Sequence, residues 1–322
     1  MAAHHESVLT HDAIDSDTRA FLRSLPPPTD RPPSVAEARL RESQMQNVEV
    51  AKIRVDVEDG VVQTLGRDIG IRVIKPLGWK NGPLPVVLFI HGGGWVVGGK
   101  DTHDRLVREI AHGSETAVVF VDYSRAPEAR YPVAIEEAYA ALTWVKEQGH
   151  SIGLDATRVA LVGDSAGGNI VAAVTLLART RGGPRADLQV LLCPVTDASF
   201  AQQSYTEFAE GYFLTRDGLR WAWDQYAPEL AMRTEAAAAP LRATDSELAH
   251  VPPALIITAE FDVVRDEGEA YARRLMAAGV RVTATRYLGA IHAFTVLNAL
   301  AHTSATRAAV AQVNHTIREA LA

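Results

Sequence analysis

Arg158-Val159-Ala160-Leu161-Val162-Gly163-Asp164-Ser165-Ala166-Gly167-Gly168-Asn169 runs from a short apolar segment, through a glycine-rich turn with one serine at its centre, into the apolar stretch Ile170 to Ala178. The periodicity predicts a strand, a tight turn and a buried helix. G-x-S-x-G at such a junction is the pattern of a nucleophile elbow. Glycines two residues before and after the serine leave room where the turn is too tight for side chains. The helix N-terminus then points at the hydroxyl, and its dipole favours a developing anion. Composition alone gives about 0.07 such strings in a chain like this one, so the placement between strand and helix carries more weight than the string. The bland alternative is a glycine-rich turn that binds phosphate or nothing.

Some 70 residues earlier, His91-Gly92-Gly93-Gly94-Trp95 follows the apolar run Val86 to Ile90. Acyl transfer builds negative charge on a carbonyl oxygen, and backbone N–H groups aimed at that point stabilise it. Consecutive glycines let the backbone approach with no Cβ in the way. The expected donors are the amides of Gly93, Gly94 and Ala166. By chance this second string arises about 0.004 times, so it is the rarer of the two. No Lys-Ser/Thr pair follows it as in a phosphate-binding P-loop. His91 is expected to shape the loop rather than to transfer protons.

A serine nucleophile needs a base, and the base an orienting acid. The apolar run Ala254 to Ala259 ends in Glu260-Phe261-Asp262, and Arg281 to Tyr287 leads to Leu288-Gly289-Ala290-Ile291-His292. Both lie at carboxyl ends of predicted strands, the edge where α/β sheets place ligands. Asp262 and His292 are the expected acid and base. Glu260 and Asp266 are the rival acids, Asp266 reading rather as the cap of the next helix. His103, His302 and His315 fall in helical segments and read as surface histidines. Asp164 and Trp95, next to the nucleophile and the glycine loop, are counted with the substrate-binding residues. The alternative for Asp164 is a structural one, its side chain turned away from Ser165.

Outward from these motifs the rhythm is strand and helix in alternation. Strands are predicted near 48–58, 69–75, 85–91, 117–122, 158–162, 188–193, 254–259 and 281–287, eight in all. The alternation at 48–58 slips at Ala51–Lys52, where a bulge is expected. Helices are predicted near 102–112, 132–148, 166–180, 266–278 and 304–321. The fold class is therefore α/β, a mostly parallel eight-stranded sheet with helices on both faces. Before it come two helical segments, Asp15 to Leu25 and one opened by the capping box Ser34/Glu37, with the prolines of Pro26 to Pro33 between them. An insertion at about 197–249 in the catalytic domain 48–322 is expected to be a lid, and the family resemblance given below implies that residues 1–47 join it in a helical cap. The insertion has no predicted strand and is rich in aromatics; loops this long inside an α/β domain are usually functional. Phe21 and Leu22 from the first segment, with Tyr212 and Phe213 from the insertion, are the expected roof of the substrate pocket. The alternative is plain packing on the sheet edge.

The 322 residues are 47% hydrophobic and 22% charged, ordinary for a globular protein. Net charge is 32 − 39 = −7 with no basic run, which argues against a nucleic-acid partner. Apolar stretches fall short of the roughly 18 residues of a membrane helix, and Met1 to Thr10 lacks a leader pattern, so a cytoplasmic location without membrane association is expected. Cys193 has no cysteine to pair with and sits among Leu191, Leu192 and Val195, so it reads as a buried, inert thiol. No H-E-x-x-H spacing occurs, and no metal site is expected.

The combination resembles the bacterial hormone-sensitive-lipase-like α/β-hydrolases, a carboxylesterase family. The matching residues are His91 to Trp95, Asp122-Tyr123 with Ala126-Pro127-Glu128, Gly163 to Asn169, Asp262 with Arg265-Asp266-Glu267, and His292 with Phe294. Asp164 places the chain with the subgroup reading G-D-S-A-G. The resemblance implies an α/β-hydrolase fold and a Ser165–His292–Asp262 triad. It also implies an oxyanion hole in the glycine loop, activity on short- to medium-chain acyl esters as small-molecule substrates without a cofactor, and a possible homodimer. Two positions depart from the family pattern. Ser124-Arg125 moves the cation by one residue, so Glu128 is expected to use another partner. Ala293 stands where glycine is common, which is expected to remove positive φ there. An acyltransferase or amidase on the same residues stays open. A non-catalytic receptor, as in the plant gibberellin receptors that lack the histidine, is disfavoured by His292. Dehalogenase and epoxide hydrolase chemistry is disfavoured because Ser165 stands where those need a carboxylate.

Overall fold

The computed structural model describes residues 13–27, 31–64 and 66–322. The stretch read for a leader and the middle of the proline connector lie outside them. Eight strands form one sheet: β1 Val55–Thr64, β2 Arg67–Pro76, β3 Leu84–Ile90, β4 Ala117–Asp122, β5 Leu154–Asp164, β6 Leu188–Leu192, β7 Ala254–Phe261 and β8 Val282–Ile291. Their order across the sheet is β1-β2-β4-β3-β5-β6-β7-β8. β1 and β2 pair antiparallel, as do β2 and β4, and every later neighbour is parallel. β3 and β6 are buried along their whole length, which is why they read as unbroken apolar runs rather than alternations.

The helices are α1 Ser16–Ser24, α2 Val35–Gln46, α3 Asp104–Ser114, α4 Val133–Gln148, α5 Ala166–Thr180, α6 Ser204–Glu207, α7 Arg216–Tyr226, α8 Asp245–Leu248, α9 Arg265–Ala277 and α10 Ser304–Ala320. α3 packs on α10, and α4 on α5, so both faces of the sheet are covered. The capping box of α2 forms, Ser34 accepting from the Glu37 N–H. Among the described residues, no helix is long and apolar enough to cross a membrane.

The first strand departs from the expected 48–58. Residues 48–54 form no strand, because Lys52 pairs with Asp104 at 2.8 Å and Arg108 donates to the Ile53 carbonyl, tying this segment to α3. β1 begins only at Val55 and forms a hairpin with β2 in continuous register, Val55 opposite Pro76 and Thr64 opposite Arg67. No bulge forms at 51–52.

Residues 197–249 contain α6, α7, α8 and two single 3₁₀ turns, and no strand. They are held by a buried carboxyl. Glu267 on α9 accepts from the Thr196 N–H at 2.7 Å, the Asp197 N–H at 3.3 Å and the Tyr205 hydroxyl at 2.8 Å. Burial pushes its pKa up from 4.5 to about 8, against the lowering effect of the Thr196 N–H and the Tyr205 hydroxyl. A carboxyl raised in the folded state stabilises fully below its unfolded pKa, and that contribution is lost as pH rises through the folded value. Between pH 4.5 and about 8, stability is therefore expected to fall with rising pH. Glu267→Gln, which mimics the protonated acid, should flatten that decline in denaturant titrations across the window. An unchanged slope in the variant would count against the assignment.

Candidate active site

β5 enters the turn at Gly163-Asp164-Ser165, and Ser165 takes φ 52 and ψ −118, a conformation costing about 1–3 kcal/mol for a residue with a side chain. Its backbone is pinned on both sides. The Ser165 N–H donates to Leu192 at 2.8 Å, and its carbonyl accepts from Asn169 at 3.0 Å and Val195 at 3.2 Å. The flanking glycines are sterically required: a Cβ on Gly163 would lie 2.5 Å from the Gly167 carbonyl carbon, and one on Gly167 would lie 2.0 Å from the Ile90 oxygen. Asn169 then donates to Val195 and to Ala238, fastening the start of α5 to the insertion.

β7 and β8 bring the other two groups to the same sheet edge. The His292 Nε2 lies 2.9 Å from Ser165 Oγ, and its Nδ1 lies 2.8 Å from Asp262 Oδ2. Asp262 also accepts from the Val264 N–H. Ser165, Asp262 and His292 are 7%, 1% and 4% exposed, so water competes little for these bonds. The rival carboxylates are engaged elsewhere. Glu260 accepts from the Gly289 N–H, and Asp266 from Ser204 and Arg265. Asp266 is not the cap of α9: the cap position belongs to Val264, and Asp266 lies inside the first turn.

The glycine loop passes beside Ser165. Gly93 and Gly94 have φ +103 and +57, and a Cβ on Gly93 would lie 2.4 Å from the Val97 oxygen. Among the described residues, neither of their N–H groups nor that of Ala166 donates to a backbone carbonyl. His91 is stacked on Tyr123 at 4.1 Å and donates from Nδ1 to the Gly92 carbonyl. Burial, aided by nearby His103, lowers its pKa to about 3, so the ring is neutral.

Asp164, read above as a substrate-binding residue, is placed otherwise. Its carboxylate, 3% exposed, accepts from the Gly92 N–H at 2.9 Å and lies 3.2 Å from His103 Nε2. That N–H is poorly aligned for a hydrogen bond, so the contact is chiefly ionic. Burial opposes both charges, yet each holds the other: Asp164 is lowered by His103, and His103 is raised by Asp164. His103 is thus no surface histidine; it precedes α3 and is 2% exposed. Asp164→Asn keeps an acceptor for Gly92 and removes the ion pair. It should cost about 2–4 kcal/mol of stability while kcat changes less than about tenfold. A variant with unchanged Tm and a hundredfold lower kcat would contradict this placement.

Trp95 is likewise fully buried, stacked on Tyr226 at 4.4 Å and against Trp223 at 4.6 Å, so its ring joins the glycine loop to α7 rather than lining a pocket. Leu22 is buried at 1% exposure and belongs to the core. Phe21 meets Phe213 edge-on at 5.6 Å, so α1 and the insertion touch. Tyr212 stacks on Phe261 at 5.1 Å, next in sequence to Asp262. Ala293 does take positive φ, +58, despite its Cβ, at a cost of about 1–2 kcal/mol, in a turn whose Val296 and Leu297 N–H groups donate to its carbonyl.

Glu128 finds its partner on α2. Arg39 forms a two-bond pair with it at 2.7 and 2.8 Å, and also donates to Val96 and Ala126. Arg125 instead donates to Gly98. Two turns on, the Gln46 side chain donates to Val296 and accepts from the Asn298 N–H. One face of α2 thus holds both the glycine loop and the segment after His292. Neither residue has a motif to announce it. A cavity of about 240 Å³ lined by Asp56, Lys75, Trp79 and Gly153 lies at the opposite, amino-terminal edge of β3 and β5, away from this chemistry.

Residues 87–296 match the family model described as "alpha/beta hydrolase fold". The chain is 40% identical over 265 residues to the carboxylesterase NlhH of Mycobacterium tuberculosis, covering 81% of each protein. The crystal structure of a thermostable esterase from Pseudomonas putida superposes with a TM-score of 0.94 at 44% identity, covering 97% of this chain and 99% of that one. A fungal esterase from Rhizomucor miehei gives 0.90 at 37%, covering 95% and 96%. With its elbow, its glycine loop and this degree of likeness, the chain belongs to the α/β-hydrolase family of carboxylesterases.

Proposed function

We propose that the protein is a serine carboxylesterase that cleaves short- to medium-chain acyl esters through an acyl-enzyme intermediate. The observation that carries the reading is the line of two hydrogen bonds, 2.9 Å from Ser165 Oγ to His292 Nε2 and 2.8 Å from Nδ1 to Asp262. Ser165 Oγ attacks the ester carbonyl while Nε2 takes its proton. Asp262 holds the tautomer and stabilises the imidazolium. The amides of Gly93, Gly94 and Ala166 receive the oxyanion. His292 returns the proton to the leaving alcohol, and water activated by the same nitrogen releases the acid. The names of the similar proteins, carboxylesterase and esterase, support the same reaction class.

In this reading the described residues 13–27 and 31–47 join 197–249 in a cap, supported by the contact of Phe21 with Phe213 between the two parts. Such a roof buries an acyl chain and bounds its length. Each methylene that fits is worth about 0.8 kcal/mol, roughly fourfold in kcat/KM if expressed in the transition state. With p-nitrophenyl esters and Ser165→Ala as the blank, kcat/KM should rise from acetyl to butyryl or hexanoyl and fall steeply beyond about ten carbons. A profile that keeps rising past that length removes the roof from the reading. Absence of hydrolysis across the series favours a binding protein instead.

A further inference from the structure

We propose that Cys193, Asp262 and His292 form a binding site for a thiophilic divalent cation such as Zn²⁺ or Cd²⁺, and that its occupation switches the esterase off. The inference rests on the triad reading for its consequence, though not for the binding itself. β6 lies between the nucleophile strand β5 and the acid strand β7, so the residue that follows it emerges behind both. That residue is Cys193, held at φ +44 with its N–H donating to Ile257 at 2.7 Å. One thiol sulfur, one carboxylate oxygen and one imidazole nitrogen come within 4.8 Å of one another there, and all three residues are buried. The nitrogen facing Asp262 is Nδ1.

Sulfur, nitrogen and oxygen are a donor set suited to zinc, with bonds of about 2.3, 2.0 and 2.0 Å. In a tetrahedral site such bonds put the donors about 3.3–3.6 Å apart. The 2.8 Å contact of Asp262 with Nδ1 must open by about half an ångström, and the sulfur, within 4.8 Å of the other two donors, must close in. Hard cations such as Mg²⁺ gain little from a thiolate and are not expected there.

The proton accounting explains the loss of activity. Before binding, Nδ1 carries the proton shared with Asp262, and Nε2 is the free acceptor for Ser165. For a cation to bind at Nδ1 that nitrogen must give up its proton, and the neutral ring then carries its one proton on Nε2. Nε2 is then a donor and no longer accepts from Ser165. The thiol releases one proton to solvent and becomes a thiolate ligand. No bond to substrate is made or broken, and no oxidant is involved.

The test uses the full-length protein and p-nitrophenyl butyrate, with each variant measured against its own metal-free rate. Micromolar Zn²⁺ or Cd²⁺ should abolish hydrolysis, Mg²⁺ should not, and a chelator should restore the rate. Cys193→Ala should raise the half-inhibitory concentration at least a hundredfold. Independently of activity, Co²⁺ should give a near-ultraviolet thiolate-to-cobalt charge-transfer band with the wild type and with Ser165→Ala, and none with Cys193→Ala. Equal inhibition of Cys193→Ala, or inhibition of the wild type without the band, would overturn the proposal. So would failure of both ions to act at millimolar concentration. If Cys193→Ala does not fold, Cys193→Ser and the cobalt band decide. A band in an enzyme with no esterase activity would leave the cation site standing and sink the catalytic reading alone.

Discussion

Ser165→Ala and His292→Ala should each lower kcat by about 10⁴- to 10⁶-fold, and the double variant hardly further. The expectation follows from the proposed mechanism: Oγ and Nε2 lie 2.9 Å apart, and if one proton passes between them, removing either end removes the same step. Asp262→Asn should lose about 10⁴-fold as well, since an amide in that position favours the wrong imidazole tautomer. KM should change far less than kcat, because Ser165 bonds the acyl group only once the reaction has begun and none of the three side chains has to hold the intact ester. Glu260→Gln and Asp266→Asn serve as the comparison, as their carboxylates are bonded to Gly289 and to Ser204. Should either of these be inactive while Asp262→Asn works normally, the acid has been misassigned. Losses that multiply in the Ser165/His292 double variant would mean that the two do not act as one unit.

Gly93→Ala should cost at least about a hundredfold in kcat, the scale of one lost oxyanion donor. Two effects combine at this position. Its φ of +103 lies in a region that residues with a Cβ rarely enter, and the added carbon would sit 2.4 Å from the Val97 oxygen. The loop must therefore shift, and a donor displaced by even an ångström no longer meets the oxyanion. Gly182 isolates the strain from the site. It also has positive φ, +60, but a Cβ there meets nothing within 4 Å. Gly182→Ala should lose about 1 kcal/mol of stability and keep its kcat. If Gly93→Ala stays within threefold of wild type, the glycine loop is not the oxyanion hole.

The parts of this protein that were legible in sequence share one property: their physical requirement is local. Parallel strands covered on both faces must be apolar throughout, so β3, β4 and β6 stand out as runs. A turn as tight as 163–167 excludes side chains within a few residues of Ser165, so glycines mark it. The acid and base could be proposed because each ends a recognisable strand. The first strand shows where local reading fails. Alternation over 48–54 is what a strand needs, but the ion pair of Lys52 with Asp104 gives those residues a competing attachment to α3.

What only the tertiary structure decided is how the loops of the site are held. His103 and Asp164 are 61 positions apart and sit in different segments, and no spacing rule joins them; only burial makes their charges depend on each other. α2 is a largely polar helix in which Gln46 alone is buried, so periodicity assigns it no inner face. Besides the half-buried Val35 and Met45, which pack against the core, it is attached by Arg39 and Gln46, long side chains reaching backbone carbonyls that the sequence does not display. Ala293 shows the same limit from the other side. Intrinsic preference argues against positive φ for alanine by about 1–2 kcal/mol, yet Ala293 takes it in a turn where the Phe294 N–H donates to Ile291 and the Ala293 carbonyl accepts from Val296 and Leu297. Sequence by itself determined the strand–helix order, the elbow, the glycine loop and the candidates for acid and base, since each depends on neighbours along the chain. Which carboxylate faces His292, what anchors the glycine loop and why Trp95 turns inward depended on neighbours in space, whose identities are scattered through the chain and become partners only when the core closes around them.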